Sequence, residues 1–382
     1  MSAGACDDCL RRTDLIAALG PWLDVEWRRR SAPAGVLSLS DAALLALDSS
    51  GRVARAHARF APAQARERIA AAGLTAVCRC DGSYPERLRE LVDPPAVLHV
   101  AGRFAALARS DSVAIVGARR GTPYGLEVAR ALGRGLAAAG VPVVSGMALG
   151  VDSAAHLGAL EQDAEVAKRS GPPAAGHTRE LSTAAPVAVL AGAADVAYPA
   201  SRRRLHTWLV ERGCVVSELP PGFTAFRWCF VARNRLIAGL AAVTAVVEAA
   251  ERSGSLTTAD FATQLGRPVG AVPGPVTSRF SSGTNSLLAA GAGVVRDVRD
   301  VLDQLSDPDG SRTEDLARPV PIEPRLRRLL DAIERGHGSL AELAGDADAT
   351  RQVLADLTDL ELRGLVRREF GGRYVRALEE RR

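Results

Sequence analysis

The sequence predicts an α/β fold built on a buried, mostly parallel sheet, and three observations carry that reading. Short, fully apolar runs rich in valine recur along the middle of the chain: Val113–Val116, Val141–Val144, Val187–Leu190, Val215–Val216, Thr244–Val247, Val269–Val272 and Gly293–Val295. Strands covered on both faces carry such continuous runs rather than alternating ones. Between them lie helix-period stretches, at Gly125–Ala139, Ser153–Leu160, Arg202–Arg212, Asn234–Leu240, Leu256–Leu265 and Thr284–Ala290. Glycine-rich loops follow several strands directly, as in Gly117-Ala118-Arg119-Arg120-Gly121 and Ser145-Gly146-Met147-Ala148-Leu149-Gly150.

The remaining elements follow in chain order. Residues 1 to about 105 read as a helical module rich in Ala, Leu and Arg, with helices at Leu10–Leu19, Asp41–Leu47 (N-capped by Ser40) and Pro62–Ala72. A turn at Asp81–Pro85 leads to a short helix, Glu86–Leu91, and then to a strand at Val97–Val100 placed to join the following domain. The core spans 106–305. Inside it, 161–186 is polar, carries Gly171-Pro172-Pro173 and has no periodicity, so it reads as a mobile surface insertion. Its Lys168 and Arg169 belong to a solvated loop on this reading. Residues 306–321 have linker composition. Beyond them, 322–382 offers helices at Arg325–Arg335, Ser339–Ala344 and Ala349–Arg363, then apolar runs on either side of Gly371-Gly372. Three helices and a hairpin outline a winged helix-turn-helix. Asp346, Asp348, Asp356, Asp359 and Glu361 lie on or near its third helix, which argues against a phosphate-facing surface there.

Composition bounds the function classes. A chain of 382 residues supports two or three domains, and 47% hydrophobic with 24% charged residues is ordinary for a globular protein. The formal charge of +4 permits nucleic-acid binding without arguing for it. Nothing has the length of a membrane span, and the acidic start at Asp7-Asp8 does not resemble a secretion signal, so a cytoplasmic protein with no membrane partner is expected. There is no Walker lysine, no G-x-G-x-x-G and no zinc-hydrolase motif; no cofactor is expected and the chain is not read as an enzyme. Cys6-x-x-Cys9 and Cys78-x-Cys80 pose a zinc question. The C-x-C pair is a poor second half and lies some seventy residues from the first, so all four are read as free thiols and no metal is expected.

Loops at the carboxyl ends of parallel strands line the ligand crevice of such folds, and backbone N–H groups in glycine turns face anions. That places Gly117, Arg119 and Arg120 after one strand, and Ser145 and Gly146 after the next. Ser253, Gly254 and Ser255 follow a third, and Asn285 lies in a further loop. Arg202 and Arg203 open a helix after Tyr198-Pro199 and extend the phosphate track. Arg233, Asn234 and Arg235 are expected to start a helix; cations disfavour that helix end, so two of them imply an anion that offsets them. Asp152 and His156, four apart, brace a helix start, and Glu248 is structural, holding the Ser-Gly-Ser loop. Aromatics make up only 4%, with Tyr124, Trp228 and Phe230 near these motifs, so binding should lean on phosphate charge and depend steeply on salt.

The ordered motifs resemble the DNA-processing protein A family, DprA or Smf. Val113–Arg119 with Tyr124-Gly125 is similar to its first motif, with Gly-Ala-Arg for the usual Gly-Ser-Arg. Ser145–His156 is similar to the second, and Ala188–Leu190 with Tyr198-Pro199 to the third. Phe230–Leu240, Val247-Glu248, Ser253–Ala259, Pro273-Gly274, Gly283–Asn285 and Gly291-Ala292 complete the series over roughly residues 80–305. Departures are the insertion, Ala193-Ala194-Asp195 after the third strand, and Val231 in place of a proline. The resemblance implies an extended Rossmann-like core behind a SAM- or helix-hairpin-helix-like module. It further implies sequence-nonspecific single-stranded DNA binding, protection of incoming strands in natural transformation and loading of a RecA-type recombinase. A homodimer through the Rossmann-like domain is implied as well. Two rivals stand beside it. One is a nucleotide-binding enzyme of the Lonely Guy type, whose Pro-Gly-Gly-x-Gly-Thr motif Pro273-Gly274-Pro275 does not match. The other is a duplex-binding regulator acting through the C-terminal module.

Overall fold

In the computed structural model the chain divides into two compact units, Met1–Thr313 and Glu314–Arg382. The structure describes residues 4–29, 35–169, 184–306, 323–344, 347–362, 365–368 and 372–376.

The first unit is organised by a nine-stranded sheet. Its strands are β1 (Thr75–Cys78), β2 (Val97–Gly102), β3 (Val113–Val116), β4 (Val143–Ser145), β5 (Val187–Val189), β6 (Cys214–Ser217), β7 (Val243–Val246), β8 (Val269–Ala271) and β9 (Gly293–Val294). Their spatial order is β1-β2-β6-β5-β4-β3-β7-β8-β9. From β6 to β9 every pairing is parallel, while β2 runs antiparallel to both β6 and β1. All seven expected core strands are present, each within two residues of its expected ends. Strand order reverses beside β3, with β4, β5 and β6 to one side and β7, β8 and β9 to the other, so the switch-point crevice opens where β3 and β7 end.

Helices cover both faces. The helix Pro123–Ala138, capped by the Thr122 hydroxyl, lies against the helix Val151–Arg169 at close range. Glycine makes that approach possible: a Cβ on Gly133 would stand 2.2 Å from the Ala155 carbonyl oxygen, and one on Gly158 would stand 2.0 Å from that of Arg130. Residues 161–169, expected within a structureless insertion, instead continue this helix, and 170–183 lie outside the described residues.

The N-terminal helices pack on the same body. The helix Asp7–Arg29 buries Leu15, Leu19 and Leu23 against Leu44, Val53, Trp228 and Cys229. Trp228 donates its indole N–H to the Gly20 carbonyl at 3.1 Å. Ser40 caps the helix Asp41–Ala46 as its position predicts. Strands β1 and β2 extend the main sheet, so the stretch 75–102 is continuous with the core.

The second unit holds helices Pro324–Glu334, Leu340–Leu343 and Ala347–Leu362 and an antiparallel pair, Val366–Arg368 with Tyr374–Arg376. Its core is Leu326, Leu330, Leu357, Leu360, Val366 and Tyr374. Asp356 is buried and pairs with Arg325 at 3.0 Å, so this acidic group is spent inside the unit. The expected linker falls almost entirely on residues outside those described.

Candidate nucleic-acid interface

Hydrogen bonds within the protein hold the loops at the carboxyl ends of β3, β4 and β7. Glu248, buried just past β7, accepts from the Thr122 backbone N–H at 2.8 Å and from its hydroxyl at 2.5 Å, tying the β7 loop to the one after β3. A Cβ on Gly125 would collide with that carboxylate at 2.3 Å. The loop after β4 is held by Asp152, whose Oδ2 accepts from Gly146 N–H at 3.1 Å and Ala148 N–H at 3.4 Å. Burial raises the pKa of Asp152, opposed by Arg233 and those two N–H groups. Met147 in this loop has φ of 53°, the left-handed region that side chains rarely adopt, and its side chain is fully buried. His156 is buried one turn on, and burial lowers its pKa to about 4, so the imidazole is neutral.

The arginines after β3 are exposed. Arg119 lies over the Phe230 ring at 5.0 Å, and Tyr198 packs on the same ring with centroids 5.3 Å apart. Tyr198 is 47% exposed. Arg120 beside it is exposed, and neither Arg119 nor Arg120 forms an ion pair among the described residues. A few residues past Tyr198, half-buried Arg202 precedes the helix Arg203–Arg212, where Arg203 and Arg204 are exposed in a first turn with no acidic residue. The helix dipole opposes cations there, and an anion bound at that end reverses the sign.

Arg233 and Arg235 do not start a helix. The helix begins at Arg227 and ends at Leu240, so both lie in its interior and both are buried. Arg235 is 4% exposed; its guanidinium donates to Glu218 at 2.7 and 2.8 Å and to Asp93 at 2.9 Å. Burial opposes its charge, but these carboxylates outweigh the burial and raise its pKa. No donor of this fork faces a ligand. Arg233 sits beneath the Gly146 turn, donates to the Val189 carbonyl at 2.6 Å, and leaves its Nε buried without a partner. Burial pulls its pKa down to about 10, with nearby Arg119 adding to the shift and Asp152 opposing it. A Cβ on Gly146 would lie 1.9 Å from the Arg233 Nη1, so glycine there is what admits the guanidinium below the loop. The dipole argument made for Arg233 and Arg235 belongs instead to Arg203 and Arg204.

Other expected residues brace the loops. Ser145 is buried and donates its hydroxyl to the Ile115 carbonyl at 2.6 Å. Asn234 donates to the Gly254 carbonyl at 3.0 Å. Ser253 caps the helix Gly254–Gln264 by accepting from Ser255 N–H. Asn285 exchanges two hydrogen bonds with Gly274, at 3.1 and 3.3 Å. Gly117 is half-buried against Val151, and Gly254 is exposed. Tyr198 is the residue that composition passed over, although its position just past β5 and next to Pro199 was a readable signal.

The four thiols of the two sequence-distant pairs are unbridged and lie close together. Cys6, Cys9, Cys78 and Cys80 converge, with all four sulfurs within 4.8 Å of one another.

A nine-stranded, mostly parallel α/β sheet with exposed arginines at its switch point places the chain in the Rossmann-like class of α/β proteins. The model of the family described as DNA recombination-mediator protein A matches residues 75–306, and the chain belongs to that family. It is 38% identical over 303 residues to a DprA-named chain of Mycobacterium tuberculosis, covering 76% of this chain and 72% of that one. It is 33% identical over 306 residues to the Protein Smf of Escherichia coli, covering 77% and 75%. The solved structure of DNA processing protein A from Streptococcus pneumoniae superposes with a TM-score of 0.60 at 27% identity, covering 78% of this chain and 96% of that one. No helix among the described residues is long and apolar enough to cross a membrane.

Proposed function

We propose that this protein binds single-stranded DNA without sequence preference and delivers it to a RecA-type recombinase, acting in the cytoplasm as a homodimer through its Rossmann-like domain. The observation that carries the reading is the exposed Arg119–Phe230–Tyr198 stack at the ends of the parallel strands, flanked by Arg120, Arg202, Arg203 and Arg204. Arginine forks hold phosphates, and a half-exposed tyrosine gives an unpaired base a ring to stack on, which a closed duplex does not offer. Membership of a recombination-mediator family supports the handoff.

Binding rather than catalysis fits the same geometry. Asp152 is committed to the Gly146 turn, and His156 is neutral and fully buried, so neither reaches a substrate. In this reading the phosphate track comprises Gly117, Arg119, Arg120, Gly146, Arg202, Arg203 and the Ser253–Ser255 turn, while Arg233 and Asn234 support it from below.

The deciding measurement is the affinity of a fluorescent thirty-mer single strand and of the matching duplex across a salt series. Single-strand preference is expected, with log K falling by about 0.7 per neutralised phosphate for each tenfold rise in salt. Equal affinity for both forms, or none for either, overturns the reading.

A further inference from the structure

We propose that Cys6, Cys9, Cys78 and Cys80 form a structural zinc site that clamps the start of the N-terminal helix to the edge strand of the sheet. The cysteines arrive from two places far apart in sequence. Cys6 and Cys9 span the entry into the helix Asp7–Arg29, and Cys78 and Cys80 span the exit from β1. The fold closes about seventy residues of chain to bring them together.

The spacing of the sulfurs matches the metal. Four thiolates arranged tetrahedrally about 2.3 Å from a zinc ion stand about 3.8 Å apart. Cys9 Sγ and Cys80 Sγ are 3.7 Å apart, and all four sulfurs lie within 4.8 Å of one another. The Cys6 backbone N–H points at Cys78 Sγ at 3.5 Å, the kind of N–H to sulfur contact that orients a thiolate ligand. All four cysteines are unbridged.

The surroundings suit a closed, four-ligand site rather than a reactive one. Cys9 and Cys78 are buried in a cluster with Leu10, Ile69, Leu74 and Val97, which keeps water from that side. Zinc with four thiolates carries a net charge of −2, and cations are anchored on either flank. Arg66 donates to the Ala5 carbonyl at 3.0 Å, next to Cys6, while also paired with Asp7, and Arg89 donates to the carbonyls of Arg79 and Asp81, on both sides of Cys80, while also paired with Glu86. Loading replaces the four thiol protons, which pass to solvent, with one Zn²⁺; no electron moves. Four protein ligands leave no open position, so the ion holds structure and does no chemistry.

The purpose is legible in the topology. β1 is an edge strand of the nine-stranded sheet, and its exit is pinned to the start of the helix whose second half docks on Arg227 and Trp228 through Asp24 and Gly20. A metal clamp there adds a second fixed point, at the start of that helix, to the one at Gly20 and Asp24.

The test uses the full chain purified without chelator. Elemental analysis is expected to give one zinc per chain, and cobalt exchange to give the intense thiolate-to-cobalt charge-transfer absorption of a tetrahedral site. Cys80, the exposed member, should react slowly with a thiol reagent in the loaded protein and at least tenfold faster after chelation. Removal of the metal should lower the Tm of the first unit by roughly 5 °C or more. Cys80→Ser removes the most accessible ligand with least disturbance of the core and should lose zinc while its circular dichroism stays native. Absence of stoichiometric zinc together with no cobalt spectrum overturns the proposal. So does an intact mass lower by two hydrogens for a bridge, or iron in place of zinc.

Discussion

Arg235 and Arg119 carry the same guanidinium and meet opposite surroundings. Arg235 lies in the middle of a helix, closed over by Glu218 and Asp93, with its planar fork fully used. Arg119 stands on a loop at a strand end, its charge resting on the Phe230 ring and otherwise open to solvent. A charge in the interior is tolerable only with partners in place, whereas one at the surface is solvated and needs none. The difference shows that an arginine in a densely matched motif can be architecture, and that its neighbours decide which.

The largest effect should come from breaking the interior member. Arg235→Gln leaves two half-buried carboxylates side by side with no cation, a change expected to cost about 3 kcal/mol, the lower end for removing one partner of a buried pair. Urea unfolding of the first unit is expected to register that loss. If Arg235→Gln instead lowered DNA affinity at unchanged stability, Arg235 would belong with Arg119 and the contrast would collapse.

Acid should find the interior next. Burial lowers the pKa of His99 and His156 to about 4, below the ordinary value near 6.5. The unfolded chain therefore takes up protons that the folded chain refuses. The stability from these groups is complete above pH 6.5 and lost as pH falls toward 4, with about 2 kcal/mol per histidine gone at pH 5. Unfolding at pH 7.5 and pH 5 should show the drop, and His156→Gln should show a shallower one.

At the crevice the expected effect is on binding alone. Arg119→Glu removes one phosphate contact and adds a like charge, weakening single-strand affinity by roughly ten- to thirtyfold and reducing the salt slope by about 0.7. The Tm should stay within about a degree, since the replaced group makes no ion pair among the described residues. Fluorescence anisotropy beside a thermal melt separates the two outcomes.

Most of the sheet was legible in the sequence because doubly covered strands have to be short and apolar, and Val113–Val116 or Val243–Val246 can be little else. The candidate site was legible as a set of glycine loops at strand ends, but not in which of its arginines are buried and which are exposed. Asp93 lies 142 residues from Arg235, and no local pattern predicts that pairing. The start of the helix at Arg227 was hidden because Phe226 and Arg227 carry no side-chain capping signal. The thiol cluster was legible as two pairs and invisible as one group, since convergence depends on β1 joining the sheet edge beside the first helix.

The smallest effect, and the sharpest on mechanism, concerns Tyr198. Its ring packs on Phe230, which in turn carries Arg119, so one face of the stack is protein and the exposed remainder is free for a base. Base stacking on an aromatic contributes about 1 to 3 kcal/mol, and a ring that is only half exposed belongs at the lower end. Tyr198→Ala should therefore weaken single-strand binding about fivefold, leave the salt slope unchanged, and scarcely alter the affinity for duplex. Tyr198→Phe keeps the ring and should restore most of the loss. A Tyr198→Ala variant that lost salt dependence would mean the ring serves only to hold Arg119 in place, and the crevice would then read phosphates without touching bases.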